Sequence, residues 1–157
     1  MPDIISMDAF YMKEALIEAK KAYSINEVPV GAIIVNNESI IGRGFNQVEK
    51  LNDSLAHAEL IAIRDAIKNT GYKHLLDSVI YVTLEPCAMC AGALVLTRIK
   101  KIVFGTEDPK NGACGTLYNI PKDTRLNHRC EVEGGILKEK CSELLINFFQ
   151  NLRMNNI

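Results

Sequence analysis

The segment that most constrains the fold is an uninterrupted apolar run, Val79-Ile-Tyr-Val-Thr-Leu84. A run of this length without alternating polar residues is typical of a strand that is buried on both faces of a sheet. Such a strand needs helices packed against each face of that sheet. The run therefore predicts a layered α/β fold.

Further strands and helices are predicted on both sides of this run. We expect strands over residues 30–35, 39–45, 101–105 and 130–132, and helices over residues 7–24, 56–69, 87–97 and 136–152. Strands that alternate with helices from residue 56 onward indicate right-handed crossovers and parallel pairing, whereas the first two strands form an antiparallel hairpin. The sequence thus predicts a three-layer α/β/α architecture with a central mixed five-stranded sheet.

Capping residues predict where the first two helices begin and end. Ser6 precedes the first helix, and Asp53 or Ser54 precedes the second. A short polar side chain at these positions can accept a hydrogen bond from a free backbone N–H of the first turn. Gly71 follows the second helix, where a glycine commonly ends a helix. The polar residues 46–54 between hairpin and helix are predicted to form a loop.

The length of 157 residues predicts one domain that covers residues 1–157. Apolar stretches are shorter than the roughly 18 residues that a membrane span requires, so no membrane association is expected. The N-terminal residues include no basic region typical of a signal peptide. We therefore expect a soluble, cytoplasmic protein.

Charge is distributed unevenly along the chain. The net charge of the whole protein is −1, which is mild evidence against a nucleic-acid partner. Residues 98–129, however, contain seven lysine and arginine residues against three aspartate and glutamate residues, a net charge of +4. Charge alone leaves two interpretations open: a solvated face without a partner, or a surface for nucleic acid.

Three potential zinc ligands stand out: His57, Cys87 and Cys90. The Cys-x-x-Cys spacing places both sulfurs on one helix face, where free N–H groups and the helix dipole favour the thiolate that a metal needs. The carboxyl edge of the sheet should bring His57 to the same place. Three protein ligands leave the fourth tetrahedral position open, which is the arrangement of catalytic rather than structural zinc.

Glu59 distinguishes this interpretation from the alternatives. A Cys-x-x-Cys motif by itself also suits a dithiol redox site, and a lone histidine is more often structural. A closed structural zinc site would need a fourth ligand. Glu59 and His57 can approach one point only beyond the end of their helix. An acid beside an open metal position can carry protons for a bound water, so the combination favours hydrolysis.

The motifs His57-Ala58-Glu59 and Pro86-Cys87-Ala88-Met89-Cys90 resemble those of the zinc-dependent nucleoside and nucleobase deaminases. Within that superfamily the chain resembles the bacterial tRNA-specific adenosine deaminases almost from end to end. The resemblance from residue 103 onward is what indicates the tRNA branch. The matching stretches there are Val103-Phe-Gly-Thr-Glu-Asp108, Lys110-Asn-Gly-Ala113, Leu126-Asn-His-Arg129, Gly135-Ile-Leu137 and Phe148-Phe149.

The resemblance implies a cytidine deaminase-like fold and the hydrolytic deamination of adenosine to inosine at the wobble position of a tRNA anticodon. It implies one Zn²⁺ per subunit, held by His57, Cys87 and Cys90, which activates a water while Glu59 shuttles protons. It further implies a homodimer and an anticodon stem-loop as binding partner. The substrate-binding residues implied by the resemblance are Asn46, Pro29, Val30, Asp108, Lys110, Phe149 and Arg153.

The C-terminus departs from the family pattern. Family members often finish with several basic residues on the last helix, whereas the end here, Gln150-Asn-Leu-Arg-Met-Asn-Asn-Ile157, retains only Arg153. RNA affinity is therefore expected to depend more on residues 98–129. Two other functions stay open: a free guanine or cytosine deaminase with the same zinc site, and a non-catalytic RNA-binding subunit that keeps zinc for structure. The presence of Glu59 argues against the second.

Overall fold

The computed structural model describes residues 6–155. Its elements are α1 (Met7–Ser24), β1 (Gly31–Asn36), β2 (Ser39–Phe45), α2 (Val48–Leu51), α3 (Ala58–Thr70), β3 (Ser78–Leu84), α4 (Ala88–Leu96), β4 (Lys101–Thr106), β5 (Glu131–Gly134) and α5 (Lys138–Asn155), with a 3-10 turn at Ile120–Lys122. Among the helices of residues 6–155, none combines the length and the apolar character needed to cross a bilayer.

One sheet of five strands, in the order β2-β1-β3-β4-β5, forms the centre of the described chain. β1 pairs with β2 and with β3 in antiparallel fashion. β3, β4 and β5 pair in parallel. This confirms the predicted mixed sheet, with its hairpin on one side and its parallel crossovers on the other.

Alternate residues of the three central strands, β1, β3 and β4, pack into two separate cores. Ile34, Ile80 and Ile102 face a cluster that contains buried residues of α3 and α4. The opposite face carries Ile33 and Val103, which pack with buried residues of α1 and with Cys141 of α5. Because side chains of a strand point alternately to opposite faces, these runs require a helix layer on each side. The structure confirms the predicted α/β/α layers.

Two glycines of β2 allow α3 to lie directly against the sheet. A Cβ atom on Gly42 would collide with the carbonyl oxygen of Ala62, and one on Gly44 with that of Ala58. Side chains at these positions would force helix and strand apart. The close approach fixes the first turn of α3 next to the end of β2, and this is the edge at which the candidate site forms.

The predicted helix ends are confirmed in part. Ser6 caps α1 by accepting a hydrogen bond from Ala9 N, and Gly71 ends α3 in the left-handed conformation. The prediction that Asp53 or Ser54 caps the second helix is wrong, because His57 occupies the cap position of α3. Asp53 instead accepts a hydrogen bond from Leu55 N at 2.9 Å, which stabilises a turn.

The predicted loop over residues 46–54 contains the short helix α2. The carboxylate of Glu27 accepts a hydrogen bond from Glu49 N in the first turn of α2, at 2.7 Å. Glu27 is only 1% exposed. A four-residue helix has too few internal hydrogen bonds to form alone, so this buried carboxylate from a distant part of the chain helps to hold it.

Candidate active site

One edge of the sheet gathers the ends of several elements. β3 ends at Leu84, and Cys87 follows as the cap residue of α4. His57 caps α3 at the same edge. Because β1 runs antiparallel to β3, the beginning of β1 near Val30 also lies there. A groove of about 960 Å³ opens between these ends and the face of α5.

The three predicted zinc ligands lie close together where His57 and Cys87 line this groove. One donor atom each of His57, Cys87 and Cys90 lies within 4.8 Å of the others. His57 Nδ1 lies 3.6 Å from both sulfur atoms. Tetrahedral zinc, with bonds of about 2.3 Å to sulfur and about 2.1 Å to nitrogen, requires a sulfur–nitrogen separation of about 3.6 Å. The donor set therefore fits a tetrahedral zinc ion with one position left for another ligand.

The charges within this cluster favour a bound cation. Hydrogen bonding from Cys90 lowers the pKa of the Cys87 thiol to about 4, and His57 acts in the same direction. The hydrogen bond from Cys90 to Cys87 and the burial of Cys90 raise the pKa of the Cys90 thiol. One sulfur is thus readily a thiolate while the other keeps its proton. A cation between them favours the thiolate form of both.

Glu59 lies in the first turn of α3 and is 4% exposed. Burial is the main cause that raises its pKa to about 7, and the negative charge of Cys87 adds to the effect. A carboxyl group with a pKa near neutrality can both take up and release a proton under working conditions. Glu59 also lines the groove, as the role of a proton carrier requires.

The groove brings together most of the predicted substrate-binding residues. Pro29, by contrast, is buried and is not a lining residue, although its neighbours Val28 and Val30 are. The predicted residues that do line the groove are Val30, Asn46, Asp108, Lys110, Phe149 and Arg153.

Two polar side chains of the rim are already oriented by the backbone. Asn46 Nδ2 donates to the carbonyl oxygen of Val28 at 3.2 Å, and its Oδ1 accepts from Val48 N at 3.3 Å. Asp108 Oδ1 accepts from the backbone N–H groups of Lys110 and Asn111. The Oδ2 atom of Asp108 makes no such bond within the described chain, so it can accept one from a ligand.

Helix α5 supplies an apolar wall that the sequence reasoning mostly missed. Leu145, Ile146 and Leu152 line the groove beside Phe149. Phe149 is 42% exposed, and its ring packs edge-on against Phe148 at a centroid distance of 5.3 Å. The helical spacing of these apolar residues could have indicated an apolar helix face, but the same spacing is typical of a helix that packs against the core. Only the packing shows that this face looks into the groove.

The basic residues of segment 98–129 are not concentrated at the groove. Lys101 pairs with Glu133 at 3.0 Å, and Arg125 pairs with Asp123 at 2.7 Å. Lys110 is the basic residue of this segment that lines the groove. The other basic residues of the segment do not line the groove, so their attraction for an RNA backbone would act outside it.

Sequence reasoning also missed Glu85. The residue is 2% exposed and lines the groove, and its carboxylate accepts hydrogen bonds from the loop after β4. The sequence offered one signal for this role, because Glu85 stands in an otherwise apolar stretch between Val82 and Cys87. A charged residue that is buried in such a stretch needs hydrogen-bond partners.

Comparison with known proteins places these features in context. The family model of the cytidine and deoxycytidylate deaminase zinc-binding region matches residues 5–106. A tRNA-specific adenosine deaminase of Bacillus subtilis (strain 168) is 50% identical over 149 residues, which is 95% of this chain and 92% of the relative.

Two solved structures bear on the choice between substrates. A tRNA:A34 deaminase, studied for A-to-I editing at the wobble position of transfer RNA, superposes with a TM-score of 0.83 at 38% identity, covering 87% of this chain and 99% of that one. A guanine deaminase from Bacillus subtilis is also 38% identical, but its TM-score is 0.60 and the match covers 62% of this chain and 63% of that one. The similarity to the tRNA:A34 deaminase therefore extends over more of the fold.

Proposed function

Because the chain belongs to the zinc-binding cytidine and deoxycytidylate deaminase family, and within it to the tRNA-specific adenosine deaminases, we propose that it deaminates adenosine to inosine at the wobble position of a tRNA anticodon. The observation that carries the proposal is the cluster of His57, Cys87 and Cys90 with Glu59 beside it in one groove. A tRNA substrate also fits the cytoplasmic location expected from the sequence.

In this proposal His57, Cys87 and Cys90 hold one zinc ion per chain. When bound, zinc supplies Lewis-acid activation of water, which makes water a competent nucleophile near neutral pH. Two thiolates and a neutral imidazole nominally balance the charge of the ion. Cys87 and His57 line the groove, so a metal held by the three residues would be accessible to water and to a substrate in the groove.

Glu59 carries the protons of the reaction. It takes a proton from the attacking water and delivers it to N1 of adenine as the oxygen adds to C6. It then transfers the remaining proton of the C6 hydroxyl to the amino group, the C6–N6 bond breaks as the C6 carbonyl forms, and ammonia leaves. Adenosine and water thus give inosine and ammonia. A single carboxyl group can act as base and then as acid because it returns to the carboxylate form each time it releases a proton.

The groove suits a base presented by a loop rather than by a duplex. Removing a base from a duplex costs a few kcal/mol, whereas an anticodon loop already presents unstacked bases. Asn46 would hydrogen-bond the target nucleotide, and Val30, backed by the buried Pro29, would pack against its base. The fixed orientation of Asn46 means that little side-chain entropy is lost on binding.

The outer part of the groove would bind the neighbouring nucleotides. An ionised carboxylate only accepts hydrogen bonds, so Asp108 suits a sugar hydroxyl, whereas Lys110 suits a phosphate. Phe149 offers a partly exposed ring on which a base can stack. Arg153, at the end of the apolar wall of α5, would contact the RNA backbone.

The proposal predicts selective turnover of structured RNA. We expect the protein to convert the wobble adenosine of an anticodon stem-loop to inosine with a kcat/KM at least about a hundredfold above that for free adenosine, because remote contacts contribute binding energy to the reaction. Inosine is measured by nucleoside chromatography after digestion of the RNA. A stem-loop with guanosine at the wobble position serves as the control.

Free guanine and free cytosine are assayed in parallel. Turnover of either free base without activity on the stem-loop would contradict the proposal and favour the free-base deaminase. Stoichiometric zinc and tight RNA binding without turnover of any substrate would favour the non-catalytic subunit.

We further propose that the protein is a homodimer in which α4 contributes to the interface. Buried residues of α4 pack into the core, but Leu96 is 78% exposed and Ala88 is also exposed. Met89, Gly92 and Ala93, on the same side of the helix, are half-buried. A second copy seated on this apolar face would lie next to Cys87, in keeping with family dimers whose sites are close to the interface.

Replacing Leu96 by glutamate is expected to convert the dimer to a monomer, because a charge would be buried in an apolar interface. The mass in solution at micromolar protein concentration, measured by sedimentation velocity, tests this. Ile17→Glu is the matched control, since Ile17 is 47% exposed on α1, which packs on the other face of the sheet. A monomeric unmodified protein, or an equally dimeric L96E variant, would contradict the proposal.

A further inference from the structure

Glu85 occupies an unusual position between the sheet and the zinc ligands. It follows the last residue of β3 and precedes Cys87 by two residues. Its side chain is 2% exposed, although it carries an ionisable group. Burying a carboxylate is unfavourable unless hydrogen bonds satisfy it, so its partners indicate what the residue does.

Within residues 6–155, every hydrogen bond that the Glu85 carboxylate accepts comes from one segment, residues 107–116, here termed the rim loop. Oε1 accepts from Asp108 N at 3.1 Å and from the hydroxyl of Thr116. Oε2 accepts from Cys114 N at 2.9 Å and from Thr116 N at 3.1 Å. Gly112 packs so closely that a Cβ atom there would collide with the carboxylate. Glu85 is therefore the point around which the rim loop is folded.

The rim loop carries groups that face the groove. Asp108, Lys110 and Asn111 all line it. Glu85 binds the backbone N–H of Asp108, and Asp108 in turn binds the N–H groups of Lys110 and Asn111. This chain of bonds runs from a rigid strand end to the exposed tip of the loop. It fixes the backbone from which Asp108 and Lys110 project.

We propose that Glu85 is a positioning residue for RNA binding, which orders the rim loop before the anticodon arrives and does not itself contact the RNA. The inference rests on the proposed function, because that function supplies the RNA. Hydrogen bonds from N–H groups to a buried carboxylate are among the stronger ones in proteins. A loop that is already ordered loses less conformational entropy on binding, so its contacts contribute more to affinity.

Glutamine at position 85 would remove a defined part of this network. Its single oxygen can serve the N–H groups of Cys114 and Thr116, but its amide nitrogen then meets the N–H of Asp108, and two donors face each other. We expect E85Q to raise KM for the anticodon stem-loop by about tenfold to hundredfold, with kcat within about threefold of the unmodified protein. Zinc content should remain unchanged.

Glu18→Gln is the matched control for loss of a buried carboxylate. Glu18 is 2% exposed and lies on α1, where it pairs with Lys21 and Arg43 rather than with any residue of the rim loop. Both variants should lower the melting temperature, but only E85Q should raise KM. A merely structural role for Glu85 would affect the two variants alike.

Thr116 provides an independent variant at the surface of the same network. Thr116→Val removes the hydroxyl donor to Glu85 and should raise KM by about threefold to tenfold. Thr116→Ser keeps the donor and should restore KM to within about twofold. Because Thr116 is exposed, neither change should prevent folding. If valine and serine behaved alike, the hydroxyl contact would have no part in positioning, and the proposal would be overturned.

Amide hydrogen exchange distinguishes failure of this inference from failure of the proposed function. Exchange at Asp108, Cys114 and Thr116 should be faster in E85Q than in the unmodified protein and in E18Q, and this requires no substrate. If the unmodified protein deaminated no RNA, the proposed function would be wrong. The exchange rates would still show whether Glu85 orders the rim loop. Unchanged exchange, an unchanged KM or loss of zinc in E85Q would each overturn the proposal.

Discussion

Replacing Glu59 by glutamine is expected to reduce kcat on an anticodon stem-loop by at least about a hundredfold, because a positioned acid–base group typically contributes that much. Glutamine has nearly the same shape and can still accept a hydrogen bond, but it cannot take a proton from water and return it to the base. Zinc content should stay at about one ion per chain, since the three donor atoms belong to other residues. The rate at saturating RNA and the metal content together test the role of Glu59.

The control for this experiment is again Glu18→Gln, which removes a carboxylate of similar burial on α1 that does not line the groove. Its kcat should match that of the unmodified protein. KM of the Glu59 variant should change little, because the carboxyl group acts on reacting atoms rather than on the remote parts of the RNA. A variant that kept more than a tenth of the normal kcat would contradict the proton-carrying role.

The zinc ligands and the layers of the fold could be predicted because their signals are local. Cys87 and Cys90 lie one helical turn apart, and an apolar run such as Val79–Leu84 needs no distant residue to be recognised as a buried strand. The arrival of His57 at the same point followed from a rule about the carboxyl edges of parallel strands. Each of these inferences uses either a few neighbouring residues or general topology.

The rim of the groove could not be predicted in the same way. Glu27 bonds to Glu49, 22 residues away, and Glu85 bonds to residues 23 to 31 positions away. Contacts at these separations leave no periodic pattern in the sequence. The sequence therefore predicts an open loop for the polar segment 46–54. In the structure α2 forms there, and the backbone N–H of Glu49 in its first turn donates a hydrogen bond to Glu27. The failed cap prediction at Asp53 has a different origin, because a short polar side chain suits both a helix cap and a local turn, and Asp53 accepts from Leu55 N in a turn.

The two buried glutamates, Glu27 and Glu85, support different parts of the groove lining. Glu27 supports the segment that includes Val48, and Glu85 supports the loop that includes Asp108, so each braces one side of the opening. Glu27 precedes the beginning of β1, and Glu85 follows the last residue of β3. These two strand termini lie at the same edge of the sheet. The chemistry at the zinc ligands and the shape of the opening thus depend on the same sheet edge but on different side chains. Variants should accordingly separate into those that change kcat and those that change KM.

Removal of a zinc ligand is expected to have the largest effect of any single change. In Cys90→Ala, zinc should fall from about one ion per chain to near zero, and kcat/KM should fall by at least about a thousandfold, because metal activation of water contributes several kcal/mol. Cys90 is fully buried, so the variant also tests whether the metal stabilises the fold. Saturating zinc at about a hundred times its dissociation constant would add roughly 2.7 kcal/mol to the free energy of unfolding.

The control is Cys141→Ala, which removes the thiol of a residue of α5 that is 1% exposed and packs in the core shared with α1. Both variants lose a buried sulfur, so both should unfold at a lower temperature than the unmodified protein. Added zinc should raise the melting temperature of the unmodified protein and of C141A but not that of C90A. Because this readout needs no RNA, it tests the metal site separately from the proposed activity. Stoichiometric zinc in purified C90A would show that other donors hold the ion, and the open catalytic position inferred from three ligands would then be wrong.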